Sequence, residues 1–435
     1  MTRRRAYALV AAIAIVPRVL IAAHERGALF VDPEKSDILA RVFLKTGTFG
    51  YIPGKPSAYT QPLYGWFLIV VYWILGHHWW SFSSVQIVIA GITAILVYEI
   101  GRQNLSARIG VLGAAISTLQ PYLVWHDLHA NREILDQVIG AAMFALVLAA
   151  GRSARLAPAA WLGVATGLGI LSNARLAALP VLFALFLLWR RAGWIAALAV
   201  PILAIVVISP WVIRNKVEVG CFAITTDGRA LWKANNADTY RTLRSGLWID
   251  DVTDDSAHDS PQRAQNPRPL AWYTPQEAGV LYDQTGVKAP INECTQERVY
   301  THLAEKWVEH HPGGKAKLMV QATQMMWDPR VLVDNGDGSG GNATLRLFAE
   351  PIWVSILYAL ALAGLFAVPY IFRLMAIGFA VYETLAAWVF AGTTRYRVPW
   401  DFVLALLAAA ALERWVIPRL SRLSPLKRRT SSQYS

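Results

Sequence analysis

Three carboxylates crowd into one short stretch, Val31-Asp-Pro-Glu-Lys-Ser-Asp37, directly behind the first long apolar run of the chain. A carboxylate placed there can take a proton from an acceptor hydroxyl, the general-base role. Asp32 leads, with Glu34 and Asp37 as rivals, and Asp32 before Pro33 also suits a plain turn. A further acidic candidate, Glu133, closes the stretch His126-Asp-Leu-His-Ala-Asn-Arg-Glu133. Arginines recur near other apolar runs: Arg132, Arg175, Arg214, Arg395 and Arg397. A guanidinium grips phosphate as a fork and offsets charge that grows on a phosphate leaving group. Arg132 with Glu133 also suits a structural ion pair, and Arg214 a headgroup anchor. Tyr396 and Asn215 lie beside these positions and, with Trp232, Asn235 and Asn236 further along the chain, offer stacking and hydrogen-bonding groups to a substrate. His126 and His129 are of metal-ligand type at i, i+3, but no third ligand follows at a suitable spacing. A divalent metal stays an open option, and no cofactor is implied.

The elements that must carry these groups are apolar. Hydrophobic residues make up 55% of the 435, charged ones only 16%, and the mean hydropathy is +0.36. Soluble domains carry about a quarter charged residues. The apolar residues come in long blocks, so the fold class is mostly α, a polytopic membrane protein. Arg3 to Arg5 ahead of the first block resemble the start of a signal peptide. Pro17 and Arg18 interrupt that block and many spans follow, so an uncleaved first helix is expected. The net charge of +12 does not imply nucleic acid. Basic residues gather at alternate helix ends, the positive-inside pattern. It gives about ten transmembrane helices: 6–23, 82–101, 106–125, 134–150, 158–172, 176–189, 194–211, 350–370, 374–391 and 398–416. Both termini are then cytoplasmic in a plasma (inner) membrane.

Two stretches in the first outer loop are too short to span and suit interfacial helices. They are Asp37 to Lys45 and Pro62 to Gly76. The chain divides into an N-terminal membrane module (1–214), an extracytoplasmic domain (215–347) and C-terminal helices with a basic tail (348–435). The glycine-rich DNGDGSGGN (334–342) lacks the spacing of a calcium loop and reads as a plain loop. Cys221 and Cys294 both fall in the extracytoplasmic domain, where a disulfide or two buried thiols are equally expected.

On this topology the carboxylates and arginines converge on one membrane surface, the extracytoplasmic one. The chemistry that fits is glycosyl transfer from a polyprenyl-phosphate-linked sugar. Such a donor keeps its tail among membrane lipids and its phosphate at the surface.

At these residues the sequence resembles the polytopic C-type (GT-C) glycosyltransferases. The branch is that of the protein O-mannosyltransferases and the lipid A aminoarabinose transferase. The likeness runs through the acidic loop after the first helix, Gln61-Pro-Leu-Tyr64, Gln120-Pro121 with Glu133, and Arg395-Tyr-Arg-Val-Pro399. Its most specific part is Pro210-Trp-Val-Ile-Arg-Asn215 followed by Leu231-Trp-Lys-Ala-Asn-Asn236. The resemblance implies a hexosyl- or pentosyltransferase of the cell envelope with Asp32 as base, inverting, and an acceptor that stays unknown. Ser36 stands where a tyrosine is common, and Ala234 where a glycine is. The alternatives are a transporter or flippase of lipid-linked glycan intermediates and a non-catalytic envelope assembly protein. No internal repeat favours the first. Insensitivity to every acidic substitution would favour the second.

Overall fold

Residues 2–26, 35–153, 155–247, 249, 252, 292–330 and 343–419 are described in this computed structural model. They are almost wholly helical. Among them there is no strand, only one isolated bridge between Ile52 and Lys55. Asp32, Glu34 and the 334–342 loop lie outside the described residues.

Among the described residues five helices are long and apolar enough to cross a membrane. They are α1 (Arg3–Glu25), α4 (Trp79–Asn104), α7 (Glu133–Arg152), α10 (Trp194–Glu218) and α16 (Tyr370–Val389). The chain is an integral membrane protein. Between these run α2 (Lys35–Thr46), α3 (Pro62–Leu75), α5 (Ala107–Thr118), α6 (Pro121–His126), α8 (Leu156–Ser172) and α9 (Leu179–Trp189). Then come α11 (Gly228–Ala234), α12 (Thr239–Arg244), α13 (Glu293–His310), α14 (Pro312–Trp327) and α15 (Ala343–Gly364). The short α17 (Thr394–Arg397) and α18 (Asp401–Ala411) follow α16.

Helices α1 and α10 bury a narrow seam and leave apolar residues outward, whereas α4 and α7 are mostly buried. In α1 the buried residues are Ala6, Val10, Ala14, Arg18 and Ala22, four apart on one face. Leu9, Val16, Val19 and Leu20 face outward, as lipid contact requires. Arg18, one of the residues that break the first apolar run, is itself buried. Its Nη2 lies 2.6 Å from Asp127, and its Nη1 donates to the Thr118 carbonyl at 3.0 Å. The first helix is thereby locked into the bundle. Helices α4 and α5 cross so closely that a side chain at Gly101 would meet the Gly110 backbone at 2.5 Å.

Two of the expected spans take another form. The apolar stretch 106–125 is not one helix. Pro121 has no N–H to give and keeps Gln120 out of helical dihedrals (φ −59°, ψ 121°). So α5 stops at Thr118 and α6 restarts with the Gln120 side chain accepting from the Leu123 amide at 2.8 Å. The last stretch, 398–416, is a 3-10 turn, the eleven residues of α18, and a π-turn over Leu412–Val416. Helices α8 and α9, 17 and 11 residues long, are shorter than the five long ones. The two expected interfacial segments are helices, α2 and α3, with α3 14 residues long.

Polar contacts mark two ends of the bundle. At one end Arg3 and Arg102 bind Glu99 (3.0 and 2.7 Å), Arg152 donates to Asn104 (2.5 Å), and Ser106 donates to Glu413 (2.9 Å). The start of α1, the ends of α4 and α7 and the start of α5 therefore meet there. The start of α7, the turn after α8 and the end of α16 meet at the other. Cys221 and Cys294 form a disulfide, tying the segment after α10 to the start of α13.

Candidate active site

The second end gathers the chemistry. Glu133 and Asp136 open α7 and, three residues apart, share a face. Both are buried, at 2% and 5% exposure. Glu133 accepts from Arg395, whose Nη2 also reaches Asn131 Oδ1 at 3.3 Å. Asp136 accepts from Ser172 Oγ at 2.5 Å and from Asn173 Nδ2 at 3.3 Å, and Arg132 Nε stands 3.8 Å away. Arg132 donates in turn to Gln61 Oε1 at 3.0 Å, the residue that precedes α3.

Arg175 sits on the 3-10 turn after α8. Its guanidinium lies 3.4 Å over the Tyr396 ring and 5.2 Å from that of Phe390. Nη1 donates to the Ala391 carbonyl at 3.0 Å. The turn that presents this carbonyl passes close to α14. A Cβ at Gly392 would fall 1.8 Å from the Ala322 carbonyl, so only glycine fits. Arg132, Arg175, Arg395, Tyr396 and Glu133 are thus brought together from three separate regions of sequence. Asn173 belongs with them, as do Asp136, Asn131, Ser172 and Gln61, which were not among the sequence candidates. Asp136 was detectable, since it repeats Glu133 at helical spacing.

The other candidates serve their own networks. Arg214 donates to the carbonyls of Ser57 (2.8 Å) and Phe49 (2.9 Å), pairs with Glu218 (2.6 Å) and stacks on Trp211. Arg397 is buried at 2% exposure. It binds Asp401 (3.2 Å), the Met326 carbonyl (3.0 Å) and Tyr358 Oη. Asn215, in the last turn of α10, donates to the loop carbonyl of Ala223 at 2.8 Å. Asn235 bonds the carbonyls of Leu231 and Val389 and receives Lys315. Asn236 holds the turn into α12 through the amides of Asp238 and Thr239. Trp232 packs with Tyr300 and Ala304. Asp37 is buried and accepts from Arg41 (2.9 Å) and Tyr72 (2.8 Å), with His77 Nε2 at 2.9 Å.

His126 stacks on Tyr122 and meets Asn131 at 3.1 Å. His129 stacks on Trp125 and meets its carbonyl at 2.9 Å. Among the described residues no group of three or more His, Cys, Asp or Glu side chains is placed to hold a metal.

The cluster can do one thing well. Three guanidinium groups, two of them braced by buried carboxylates, can hold an anion at the end of a helix bundle. Residues 55–213 match the family model described as dolichyl-phosphate-mannose-protein mannosyltransferase. The chain therefore resembles, over that stretch, the protein mannosyltransferase branch that its motifs suggest. No curated protein matches it. Among solved structures, ArnT from Cupriavidus metallidurans bound to undecaprenyl phosphate is 16% identical, with a TM-score of 0.44. The similarity covers 94% of this chain and 77% of that one. An Archaeoglobus fulgidus oligosaccharyltransferase, in complex with zinc and sulfate, is 15% identical with a TM-score of 0.44. There it covers 96% of this chain and 49% of that one.

Proposed function

We propose that the chain is a membrane glycosyltransferase. It moves a sugar from a polyprenyl-phosphate donor to an acceptor on the extracytoplasmic face. The observation that carries this reading is the convergence of Arg132, Arg175 and Arg395 with Glu133 and Asp136 at one end of the bundle. Four of these five residues fall inside the stretch that matches the mannosyltransferase family model. A phosphate at that end has cations to meet and lets its hydrocarbon tail stay in lipid.

In the reaction a carboxylate takes the proton of the acceptor hydroxyl. The oxygen attacks the anomeric carbon, the bond from that carbon to the phosphate oxygen breaks, and the electron pair leaves on the phosphate. A single displacement inverts the anomeric centre. Arg132, Arg175 and Arg395 hold the phosphate, and Tyr396 shapes its seat. Glu133 keeps Arg395 in place. Arg214 and Arg397 act as braces in this reading. Asp32 is our choice of base, with Glu34 next. Asp37 ranks below them because both its oxygens are already engaged. The region 215–347 is read as an inserted domain that meets the acceptor, with Trp232, Asn215, Asn235 and Asn236 shaping it from within.

Purified protein, incubated with a panel of radiolabelled polyprenyl-phosphate sugars, should release sugar from one of them. Asp32→Asn should lower turnover by about 10²–10⁴-fold while donor binding persists. A fully active Asp32→Asn protein removes that residue from the role. Failure of folded wild type to bind any donor overturns the function.

A further inference from the structure

A helix leaves its last carbonyls without partners of its own. Helix α16 ends at Val389, where the Phe390 amide closes on the Ala386 carbonyl. The carbonyls that follow need donors from elsewhere, and three side chains supply them. Lys315, on α14, donates to Trp388 O at 2.5 Å and also to Asn235 Oδ1. Asn235, at the end of α11, donates through Nδ2 to Val389 O at 2.9 Å. Arg175 Nη1 donates to Ala391 O at 3.0 Å. Donors from three distant parts of the sequence thus grip the four residues 388–391.

Both acceptors of Lys315 are neutral. The negative end of the α16 dipole provides the favourable field that a carboxylate would otherwise give, and Arg175 shares it. Helix α14 also braces α16 from the side. Trp388 Nε1 donates to Thr323 Oγ1 at 2.8 Å, and Trp327 Nε1 donates to Thr384 Oγ1 at 3.0 Å. Those two bonds hold the helix, whereas Lys315 and Asn235 hold the carbonyls that lead to Arg175.

The orientation of Arg175 depends on that short segment. Its face lies over the Tyr396 ring, Phe390 flanks it at 5.2 Å, and one nitrogen is fixed on Ala391 O. A planar guanidinium held by its face and by one N–H has little freedom left. The rest of the fork is then preset for a phosphate, which lowers the cost of binding it. Moving the 388–391 segment would move both Phe390 and the Ala391 carbonyl, and the arginine with them.

We propose that Lys315 is a positioning residue that fixes the 388–391 segment and through it sets the orientation of Arg175 toward the lipid phosphate. This rests on the glycosyltransferase reading above.

The test is binding of a long-chain polyprenyl phosphate to the purified full chain. Lys315→Met should weaken it by about tenfold, the worth of one lost hydrogen bond from a charged group. Lys315→Arg, which keeps the donors, should stay within about threefold of wild type. The deciding readout is the same Lys315→Met change made in an Arg175→Lys protein, which keeps a cation but loses the planar fork. There it should cost less than about twofold, because a residue that acts through Arg175 has nothing left to orient. Asn235→Leu, which frees Val389 O and removes the other Lys315 contact, should show the same coupled loss. It serves if Lys315→Met does not fold. An equal loss in both backgrounds overturns the proposal, since it would mean that Lys315 acts independently of Arg175. If folded wild type binds no polyprenyl phosphate, the lipid-phosphate reading falls and takes this role with it. Tight wild-type binding with an unaltered Lys315→Met protein removes only Lys315.

Discussion

Glu297 shows what a half-buried position does to a carboxylate beyond the membrane helices. It sits on α13, and its Oε2 accepts from the Gly228 amide at the start of α11. Burial pushes its pKa up to about 7, and the nearby charge of Asp227 adds to this, against the pull of the Gly228 and Thr301 donors. A folded value above the unfolded one means that the fold holds the proton more tightly. The stabilisation is complete below the unfolded value near 4.5 and is lost as pH rises through about 7. Melting temperature should therefore fall between about pH 5 and pH 8, and Glu297→Gln should flatten the slope. Equal slopes in both proteins would assign the effect to other groups. The same residue type is harder to read where charge is paired. Arg175 and Arg214 look alike in sequence, each at the end of an apolar run. One stacks on Tyr396 within the cluster and the other ties down two loop carbonyls. Spacing places a side chain at a membrane surface, but its partners come from distant residues, Ser57 and Phe49 in this case.

At the scale of elements, the segment between α2 and α3 is held by a clasp. The Ala58 amide donates to Glu293 Oε2 at 3.0 Å, and Thr226 Oγ1 donates to the same oxygen at 3.0 Å. The Thr226 amide donates to Ala58 O at 2.9 Å, and Thr225 Oγ1 to Tyr59 O at 2.7 Å. Glu293 adjoins Cys294, which the disulfide fixes to Cys221 across 73 residues. A crosslink closing a loop of that length stabilises by about 4 kcal/mol in the chain-entropy account. Replacing both cysteines by serine should speed hydrogen exchange at the Ala58 and Thr226 amides and lower the melting temperature. Exchange inside α7 should hold at its wild-type rate. Unchanged protection at Ala58 would mean that the clasp stands without the disulfide. Helix presence, including the short α2 and α3, was legible because apolar periodicity is a local property. The break at Pro121 was written in the sequence too, yet the apolar run across it is continuous, and hydropathy alone joins the two pieces. The clasp was not legible, since it pairs residues up to 235 positions apart.

Across the whole molecule the basic residues and the contacts agree on direction. Arg3, Arg102 and Arg152 mark one end through Glu99 and Asn104, while Glu133, Arg175 and Arg395 mark the other. Excess Lys and Arg favour the cytoplasmic side, so the cluster end belongs outside in our reading. Sidedness matters to the mechanism, because a donor phosphate must lie in the leaflet where the arginines are. No free cysteine occurs among the described residues, and Cys221 and Cys294 are bonded, so introduced thiols report cleanly. Ala107→Cys, exposed at the start of α5, and Arg241→Cys, exposed on α12, probe the two ends. In intact cells a membrane-impermeant maleimide should label Arg241→Cys and leave Ala107→Cys untouched until the membrane is permeabilised. The reverse pattern would place the arginine cluster in the cytoplasm and require a donor in the inner leaflet. Labelling of both in intact cells would break the alternation of helix directions on which the site's assembly rests.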